Sequence, residues 1–456
     1  MTNLYRIKLC MIDESDISKI YIETLNDKKY MQYSRNSQTK HTVLTQTSYI
    51  NEVNASEDLL FGIQTIIDDC LVGTIRFRIN KLTKSMELGF LVFKGQENKG
   101  YASEALKYFI EEFGVFFHDL TLIIGTDKEN LPMQRIANKN GFKLEGEINK
   151  HSALRFTREI KNLSNPYDLS LGIQLLKSRK IGVVAHDAGG ANQIFWLVKR
   201  LSSEILAYLG GPAANIFARS KIPFNIITSQ SELKKCDLVI TGSSSTQNFE
   251  KSAIKYLKRE GISYLTLLDH WVNYSDRFDA DTTPSIFATT NMEGLELAKS
   301  KFKNSQIFLL PDFQLLTYKS EIRNFKSRDN FILVLLEPIS YSNGGFSFTI
   351  HTINEIVGFS LRLYRARNLD GVIIRLHPSQ ENDENLILQL KSMYPNITIS
   401  TNEDLLDDLL ISQIAIGANS YALYLAHKCG IETMSIFADE TKHWTKYYSG
   451  ILPFLV

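Results

Sequence analysis

The segment FKGQENKGYASEAL, residues 93–106, decides how the first third of the chain is interpreted. It follows an apolar, strand-like run and opens a helical pattern, with apolar residues at Ala102, Ala105, Leu106, Phe109, Ile110 and Phe113. Glycine at such a junction lets backbone N–H groups approach an anion, and the start of the helix adds a favourable dipole. The junction therefore suits a pyrophosphate group, although a plain strand-to-helix turn would show the same glycine.

The residues around this segment predict a mixed α/β unit. Strands are expected at 60–67, 70–79, 85–93, 120–125 and 142–148, and helices at 100–113 and 131–140. Antiparallel strands followed by a stretch in which strands and helices alternate favour an α+β layer.

Four segments of this unit resemble motifs of the GNAT N-acetyltransferase family, particularly its ribosomal-protein and sugar-amine branch. In chain order they are MELGF (86–90), NKGYASEA (98–105), DKEN (127–130) and NKNGFKLEG (138–146). They look like the family's fourth strand, its pyrophosphate loop, the end of its fifth strand, and its closing helix and strand. The resemblance covers about residues 4–150 and implies a GNAT-like α+β domain with acetyl-CoA as its cofactor.

The resemblance also implies which residues bind the cofactor. These are Phe90, Val92, Asn98, Lys99, Gly100, Tyr101, Ala102, Ser103 and Asn130. The chain departs from the family pattern at Glu97, where glutamine or arginine is usual, at Asn98, where glycine is common, and at Met133, where a small residue is frequent. Ala137 replaces the tyrosine that many members use as general acid, which puts a tyrosine-assisted mechanism in doubt.

Acyl transfer from a thioester to an amine requires the amine to lose a proton, which a carboxylate can accept directly or through water. Glu87 is the candidate base, because its strand is expected to line the cleft. A salt-bridged surface glutamate is the alternative. His118 and His151 are further candidates, although a lone histidine more often has a structural role.

After residue 160 the sequence pattern changes. A linker is predicted at 161–177, where Asn165 and Pro166 would break a helix. Beyond it, short apolar strands alternate with Gly/Ser loops and helices, which is typical of parallel sheets covered on both faces. In the unit 178–312 the expected strands are 181–185, 205–208, 238–241 and 264–268, with a helix at 245–260. In the unit 313–456 they are 331–336, 372–376, 397–400, 414–417 and 433–437.

Two Rossmann-like, doubly wound halves in tandem predict a ligand cleft at the carboxyl ends of their strands. In the first half, polar loops follow three strands: HDAGGAN (186–192), TGSSST (241–246) and LLDHWVNY (267–274). The predicted nucleotide-sugar contacts there are Gly189, Gly190, Asn192, Ser243, Ser244 and Ser245. Asp187, Asp269 and His270 are candidate general bases. A tight turn, a helix N-cap and a structural hydrogen bond are the competing explanations.

The second half contains RLHPSQ (375–380) after a strand and GANSYAL (417–423) at a strand-to-helix turn. These two motifs resemble those of GT-B glycosyltransferases, including bacterial enzymes that use CMP-linked sugars of the sialic-acid type. The resemblance covers about 178–456 and implies that His377 and Ser420 contact the donor phosphate, with Pro378 and Asn419 beside them. Because UDP-sugar epimerases and hydrolases share this fold, a UDP-linked donor stays open.

The composition argues against several classes of protein. Lysine plus arginine number 51 and aspartate plus glutamate 50, a net charge of +1, which argues against a non-specific nucleic-acid binder. Four distant cysteines predict buried thiols in a reducing compartment rather than a disulfide framework. Without an apolar signal core or a spanning run, we expect a cytoplasmic protein. The GT-B resemblance implies that it needs no metal. A peripheral membrane contact, a glycan acceptor and self-association stay open.

These observations lead to the hypothesis of a bifunctional enzyme of surface-sugar biosynthesis. The first domain would N-acetylate an amino sugar in nucleotide-linked form, and the second module would transfer or process a CMP- or UDP-linked sugar. Two alternatives stay open. The second module would be a non-catalytic domain that binds a glycan or nucleotide, or the first would be a protein or antibiotic N-acetyltransferase.

Overall fold

Three sheets follow one another along the chain, a mixed sheet and then two parallel ones. The computed structural model describes residues 5–34, 38–148, 153–160, 167–219, 223–244, 248–269, 274–325, 330–337, 350–381, 383–418, 420–435 and 452–453.

The first sheet has the strand order β1-β2-β3-β4-β5-β7-β6. Its strands within the described residues are β1 (Ile7–Met11), β2 (Leu59–Thr65), β3 (Leu71–Asn80), β4 (Ser85–Val92), β5 (Thr121–Asp127), β6 (Lys143–Ile148) and β7 (Ala153–Glu159). Its helices are α1 (Lys19–Asn26), α2 (Val43–Ala55), α3 (Tyr101–Tyr108) and α4 (Leu131–Lys139). Neighbours from β1 to β4 are antiparallel, whereas β4 and β5 are parallel. The parallel pair requires a crossover connection, which α3 supplies.

Aromatic packing fixes α3 against the sheet. After α3 the chain continues in a wider, π-helical turn, Phe109–Phe113. Phe109 is fully buried and stacks on Phe77 of β3, with ring centroids 3.8 Å apart. Burial of one such side chain contributes about 1.5–3 kcal/mol, so these rings hold the C-terminal end of α3 against β3.

Part of the predicted linker is a buried helix, α5 (Leu169–Lys177), which begins at the N-cap Asp168. A Cβ on Gly172 would lie 2.9 Å from the Cβ of Phe116 in the first domain, so glycine permits this close approach. The linker prediction for 161–177 is therefore wrong at α5, because its apolar face is covered by the first domain. Residues 161–166 lie outside the described residues, and the domain boundaries themselves stay a prediction.

A second contact joins the first domain to both later units. Nη1 of Arg200 forms an ion pair with Glu112, and Nη2 donates to the hydroxyl of Thr317 at 2.8 Å. The Arg200 guanidinium also lies 5.1 Å from the ring centroid of Phe313.

The second sheet is parallel and has the order β10-β9-β8-β11-β12-β13-β14. Its strands in the described part of the chain are β8 (Lys180–Ala185), β9 (Glu204–Leu209), β10 (Asn225–Ile226), β11 (Leu238–Thr241), β12 (Tyr264–Leu268), β13 (Ile286–Thr289) and β14 (Gln306–Leu309). Its helices are α6 (Ala188–Val198), α7 (Gly211–Ala218), α8 (Phe249–Glu260), α9 (Tyr274–Arg277) and α10 (Met292–Lys301). The helix expected at 245–260 begins at Phe249, and 245–247 lie outside the described residues.

The third sheet is also parallel, with the order β17-β16-β15-β18-β19-β20. Helix α11 (Phe313–Asn324) precedes it. Its strands, as far as the structure describes the chain, are β15 (Phe331–Leu335), β16 (Gly371–Arg375), β17 (Thr398–Ile399), β18 (Ser412–Gly417), β19 (Glu432–Ser435) and β20 (Leu452–Pro453). Its helices are α12 (Ile350–Arg367), α13 (Glu384–Met393), α14 (Leu405–Leu410) and α15 (Tyr421–Lys428).

Counted from the first strand of each, both parallel sheets begin with the order 3-2-1-4-5-6, which is that of doubly wound α/β sheets. The α/β fold class is confirmed, while the GT-B assignment stays a prediction.

The cysteines and helices bear on two further expectations. All four cysteines are free, and Cys70 is exposed in the β2–β3 turn, so the expectation of buried thiols is wrong there. No helix among the described residues is both long and apolar enough to cross a membrane.

Candidate functional site

The strands β4 and β5 separate in the middle of the first sheet. They pair from Ser85 opposite Thr121 to Glu87 opposite Ile123, and no further pairing joins them within the described residues. Beyond Glu87, β4 continues to Val92 and β5 to Asp127. Main-chain N–H and C=O groups on the facing edges of this gap can therefore bind an extended ligand that contains amide groups.

The loop between β4 and α3 holds three residues in the left-handed conformation. These are Gly95 (φ 82°), Asn98 (φ 59°) and Gly100 (φ 85°). Gly100 is the N-cap of α3 and has no side chain with which to cap the helix. The N–H groups of the first turn of α3 lack intrahelical partners, and a turn of this kind arranges such groups into a concave anion site.

Side chains from outside the loop hold it in place. Nη2 of Arg6 donates to the carbonyl oxygen of Lys99 at 3.0 Å and lies 2.6 Å from Oε2 of Glu104. Nζ of Lys94, at the other end of the loop, lies 2.9 Å from Oδ2 of Asp27. The loop is therefore anchored at both ends, which lowers the ordering cost of binding a ligand. Sequence reasoning missed Arg6, because nothing local marks its partners almost a hundred residues away.

The predicted cofactor residues fall into two groups. Asn98, Lys99, Gly100, Tyr101 and Ala102 lie in this loop and in the first turn of α3, as expected. Phe90 and Val92 share the face of β4 that carries the buried Met86 and Leu88, and both are partly buried.

The side chains of two other predicted cofactor residues serve internal contacts. The hydroxyl of Ser103 is buried and accepts a hydrogen bond from Nδ2 of Asn140 at 3.1 Å, and the predicted contact of Ser103 with a cofactor stays a prediction. Oδ1 of Asn130 accepts from the N–H of Met133 at 3.2 Å and caps α4. A contact between a cofactor and Nδ2 of Asn130 stays a prediction.

Glu87 lies at the last paired position of β4, where the gap opens. Its Oε2 lies 3.7 Å from Nη1 of Arg78, the cross-strand neighbour on β3. Because both side chains are more than a third exposed, this pair contributes at most about 1 kcal/mol. His118 lies before the start of β5, at the opposite end from the gap, so its prediction as a base is wrong. His151 lies outside the described residues.

Replacing Gly100 with alanine is expected to weaken acetyl-CoA binding more than it weakens the fold. A Cβ in the left-handed conformation costs about 1–2 kcal/mol and would turn the first N–H groups of α3. Gly261, the left-handed C-cap of α8, provides the control: a Cβ there meets open space, and one on Gly100 makes only an ordinary contact with Nη2 of Arg6 at 3.5 Å. We expect Gly261→Ala to lose similar stability without raising the KM for acetyl-CoA. Equal KM values in both variants would contradict the role of Gly100.

The strand order of the second sheet reverses between β8 and β11, and their loops meet there. Glu250 of α8 is buried between them: its Oε1 accepts the N–H of His186 at 2.9 Å and its Oε2 the hydroxyl of Ser244 at 2.8 Å. Burial raises the pKa of Glu250, and these hydrogen bonds partly oppose the shift. Sequence reasoning missed Glu250, because an acid in an amphipathic helix is usually a surface residue.

Several of the predicted site residues at this edge form hydrogen bonds with other groups of the protein. Oδ1 of Asp187 lies 2.8 Å from Nδ1 of His186, so this carboxylate orients the imidazole, which weakens its case as a base. The Ser244 hydroxyl is buried and donates to Glu250, and its predicted nucleotide-sugar contact stays a prediction. Nδ2 of Asn192 donates to the carbonyl oxygen of Ala188 at 3.0 Å. Ser245 and His270 lie outside the described residues.

A neutral histidine, His377, lies at the carboxyl edge of the third sheet. Nδ1 of His377 accepts the N–H of Ser379 at 3.2 Å, which places the proton of a neutral ring on Nε2. Burial lowers the pKa of His377 to about 4. Pro378 follows, and Ser420 caps α15 by accepting the N–H of Leu423 at 3.2 Å. Asn419 lies outside the described residues.

An ion pair joins the units built on the two parallel sheets. Nη2 of Arg219, at the C-terminal end of α7, lies 2.6 Å from Oε2 of Glu381, in the loop after β16. The carboxyl edges of the two sheets approach each other at Tyr421 of α15, which forms a side-chain hydrogen bond with Gln193 of α6. We call the space that they border the carboxyl-edge cleft.

His377 is expected to make the protein less stable as the pH falls from about 6.5 to about 4. Its folded-state pKa lies below the ordinary value of 6.5, so in this window the unfolded chain binds a proton that the folded chain does not. The loss is at most about 3 kcal/mol. Chemical unfolding at several pH values should show a steeper loss for the native chain than for His377→Gln, whose amide can still accept from Ser379. Parallel curves would contradict this assignment.

In the part of the chain that the structure describes, no group of three or more His, Cys, Asp or Glu side chains is placed to hold a metal ion.

Comparisons with known proteins bear on the first domain. Residues 6–143 match the family model "Acetyltransferase (GNAT) domain". Two curated relatives from Bacillus subtilis (strain 168), the uncharacterized N-acetyltransferase YnaD and the probable N-acetyltransferase YjcK, are 32% and 31% identical over 104 and 110 residues. Each match covers 23% of this chain, and the chain spans 61% and 59% of the relatives' lengths.

Two further proteins are similar over a longer part of their own length. The ribosomal-protein-serine acetyltransferase of Escherichia coli (strain K12) is 24% identical over 166 residues, 34% of this chain and 90% of that protein. A solved GNAT-family acetyltransferase from Bacillus anthracis is 25% identical and covers 34% of this chain and 96% of its own, with a TM-score of 0.29.

The family match ends at residue 143 and carries nothing about residues 178–456. For the first domain it agrees with the gap between β4 and β5 and with the left-handed loop before α3. Residues 6–143 of this chain therefore form a GNAT acetyltransferase domain.

Proposed function

We propose that the first domain transfers an acetyl group from acetyl-CoA to a primary amine. The observation that carries this proposal is the gap where β4 leaves β5, next to the anchored loop and the uncapped start of α3. Main-chain groups in the gap fit the amides of the pantetheine arm, and the first-turn N–H groups fit its pyrophosphate. Acetyl-CoA, when bound, supplies an acetyl group activated as a thioester.

The chain's own residues have three tasks in this reaction. The left-handed loop and the first turn of α3 bind the pyrophosphate, with Lys99 adding positive charge. The free edge of β4 orients the ligand, and positioning of this kind can supply roughly 7–11 kcal/mol of the barrier reduction. Glu87 accepts a proton from the attacking amine at the point where the gap opens.

We also propose that the amine belongs to an amino sugar, in nucleotide-linked form, and that the carboxyl-edge cleft binds a CMP- or UDP-linked sugar. Two parallel sheets in doubly wound order support this, because such sheets bind ligands at their carboxyl ends. Nε2–H of the neutral His377 and the N-terminus of α15 are suitable donors to a donor phosphate.

A protein amine is the competing acceptor, because the name of the E. coli relative specifies a ribosomal protein. Thiol release from acetyl-CoA by the full chain separates the candidates, with a nucleotide-linked amino sugar, the free amino sugar and a peptide with an N-terminal serine as acceptors. We expect the nucleotide-linked sugar to give the highest kcat/KM. Preference for the peptide would replace the amino-sugar proposal, and no thiol release with any amine would overturn acetyl transfer.

The second module is tested by thermal shift of the full chain with CMP, UDP and GDP. The full chain is required, because α5 packs against the first domain. A nucleotide at about 100 times its Kd should stabilise the protein by about 2.7 kcal/mol. Absence of a shift with any nucleotide would overturn the nucleotide-sugar proposal, whereas a shift without turnover would favour a binding module.

A further inference from the structure

The first turn of α6 already has a carboxylate against it. Gly189 is the second residue of α6, and a Cβ built on it would collide with Oδ2 of Asp269, which follows β12. The first backbone hydrogen bond of α6 begins at the N–H of Ala191, which donates to the carbonyl oxygen of Asp187 at 3.0 Å. The earlier N–H groups of the helix, including that of Gly189, have no intrahelical partner, and Asp269 lies against this same first turn.

The N-cap residue of α6 does not supply this negative charge. Asp187 makes no capping hydrogen bond, and its Oδ1 is held by the imidazole of His186 at 2.8 Å. Asp269 reaches the helix from the neighbouring strand instead, and its position depends on the packing of β12 beside β11.

Buried contacts hold Asp269 in this position. Its Oδ1 lies 2.5 Å from Nη1 of Arg277, and the side chains are 15% and 8% exposed. The same Nη1 donates to the hydroxyl of Ser243 at 2.8 Å and to its carbonyl oxygen at 2.9 Å. Nε of Arg277 is buried and has no hydrogen-bond partner among the described residues. One cation and one carboxylate thus form a compact pair at the point where the strand order reverses.

In doubly wound sheets this point ordinarily receives the phosphate of a nucleotide, because glycine lets the backbone approach and the helix dipole attracts an anion. Here the space beside Gly189 is filled by a fixed carboxylate. A phosphate would have to displace Asp269 from Arg277 or lie beside it at like charge, with Asp187 and Glu250 close by. In the third unit Ser420 itself caps α15, and the nearby carboxylate of Asp312 accepts a hydrogen bond from the Tyr421 hydroxyl.

We infer that Asp269 acts as a built-in anion that excludes phosphate groups from the first half of the carboxyl-edge cleft and so confines a nucleotide's phosphate to the α15 side. The confinement of a nucleotide's phosphate to the α15 side rests on the proposed nucleotide-sugar function. The exclusion of phosphate from the first half does not. It makes Asp269 a specificity-determining residue rather than a general base, and it assigns the first half to the uncharged or cationic part of the substrate.

Titration calorimetry with inorganic pyrophosphate tests this inference, on the full chain saturated with coenzyme A so that the proposed pyrophosphate site before α3 is filled. Asp269→Asn preserves the shape of the side chain but leaves the Arg277 cation and the α6 N-terminus without their carboxylate. We expect it to bind pyrophosphate at least about tenfold more tightly than the native chain. Glu296→Gln, on an exposed position of α10, removes the same charge elsewhere and should leave binding unchanged. Equal binding by Asp269→Asn and Glu296→Gln, with both folded, would overturn the inference.

If Asp269→Asn fails to fold, a second variant that keeps Asp269 tests the same inference. Ser420→Asp keeps a capping side chain on α15 but adds a negative charge there. With the first half closed to phosphate and the site before α3 filled by coenzyme A, this variant should lose the remaining pyrophosphate and nucleotide binding. Binding that persists in Ser420→Asp would overturn the inference. If the native chain binds neither pyrophosphate nor nucleotide, the proposed nucleotide function fails, whereas exclusion of phosphate by the first half is upheld.

Discussion

Glutamine at position 87 is expected to lower kcat for acetyl transfer by about 10²–10⁴-fold, the usual contribution of a positioned general base. Glu87 occupies the last paired position of β4, where the gap towards β5 opens, and its side chain is 37% exposed. Glutamine has nearly the same shape but cannot accept the amine proton. The KM for acetyl-CoA should stay near its native value, because the anion site before α3 is untouched.

Arg78→Gln is the matched control for Glu87→Gln. It removes the other member of the ion pair, whose atoms are 3.7 Å apart, while leaving the carboxylate in place. If Glu87 serves only this pair, the two variants will have the same small effect on kcat. If it is the base, only Glu87→Gln will lose activity, and the acidic limb of its pH–rate profile will flatten.

Replacing Arg375 with methionine is expected to destabilise the unit built on the third sheet by about 3–5 kcal/mol. Nη1 of Arg375 lies 2.6 Å from Oδ2 of Asp408, and these side chains are 12% and 1% exposed. The guanidinium also donates to the carbonyl oxygens of Asn402 and Glu403, at 3.0 and 3.1 Å. Its removal leaves a buried carboxylate without a counter-ion and two carbonyl groups without a donor.

Urea unfolding followed by circular dichroism measures this loss. The control is Arg367→Met. Arg367, at the end of α12, pairs with Glu432 of β19 at 2.7 Å, and this pair lies at the surface, with side chains 43% and 36% exposed. An exposed pair contributes less than about 1 kcal/mol. Similar unfolding midpoints for the two variants would show that the buried pair does not stabilise this unit.

Much of the fold could be predicted from local sequence patterns. Four strands of the second sheet and five of the third were located, because each is a short apolar run ended by polar or glycine residues, whereas β10, β13, β14 and β20 were not predicted. The run MELGF and the glycine junction at 93–106 identified the GNAT domain, which the family match confirms. Strand β7 was missed, because its sequence ALRFTRE alternates partly buried and charged residues rather than forming an apolar run.

The candidate sites were predictable only in part. Residues predicted to bind the cofactor lie together in the loop before α3, because glycine marks that backbone conformation in the sequence, and their role stays a prediction. The internal hydrogen bonds of Ser103 and Ser244 could not be predicted, because a serine that caps, contacts a ligand or satisfies a buried partner has the same sequence context. Glu250 and Arg6 gave no local signal at all.

By itself, the sequence determined the strand and helix periodicities, the left-handed glycine turn and the polar loops at strand ends, since these depend on residues close together in the chain. Only the tertiary structure decided that Asp269 lies against the first turn of α6, that α5 packs on Phe116 and that Arg200 reaches Glu112. These contacts join residues far apart in the chain, and their energies depend on burial and relative orientation. Neither exists until the sheets have packed against one another.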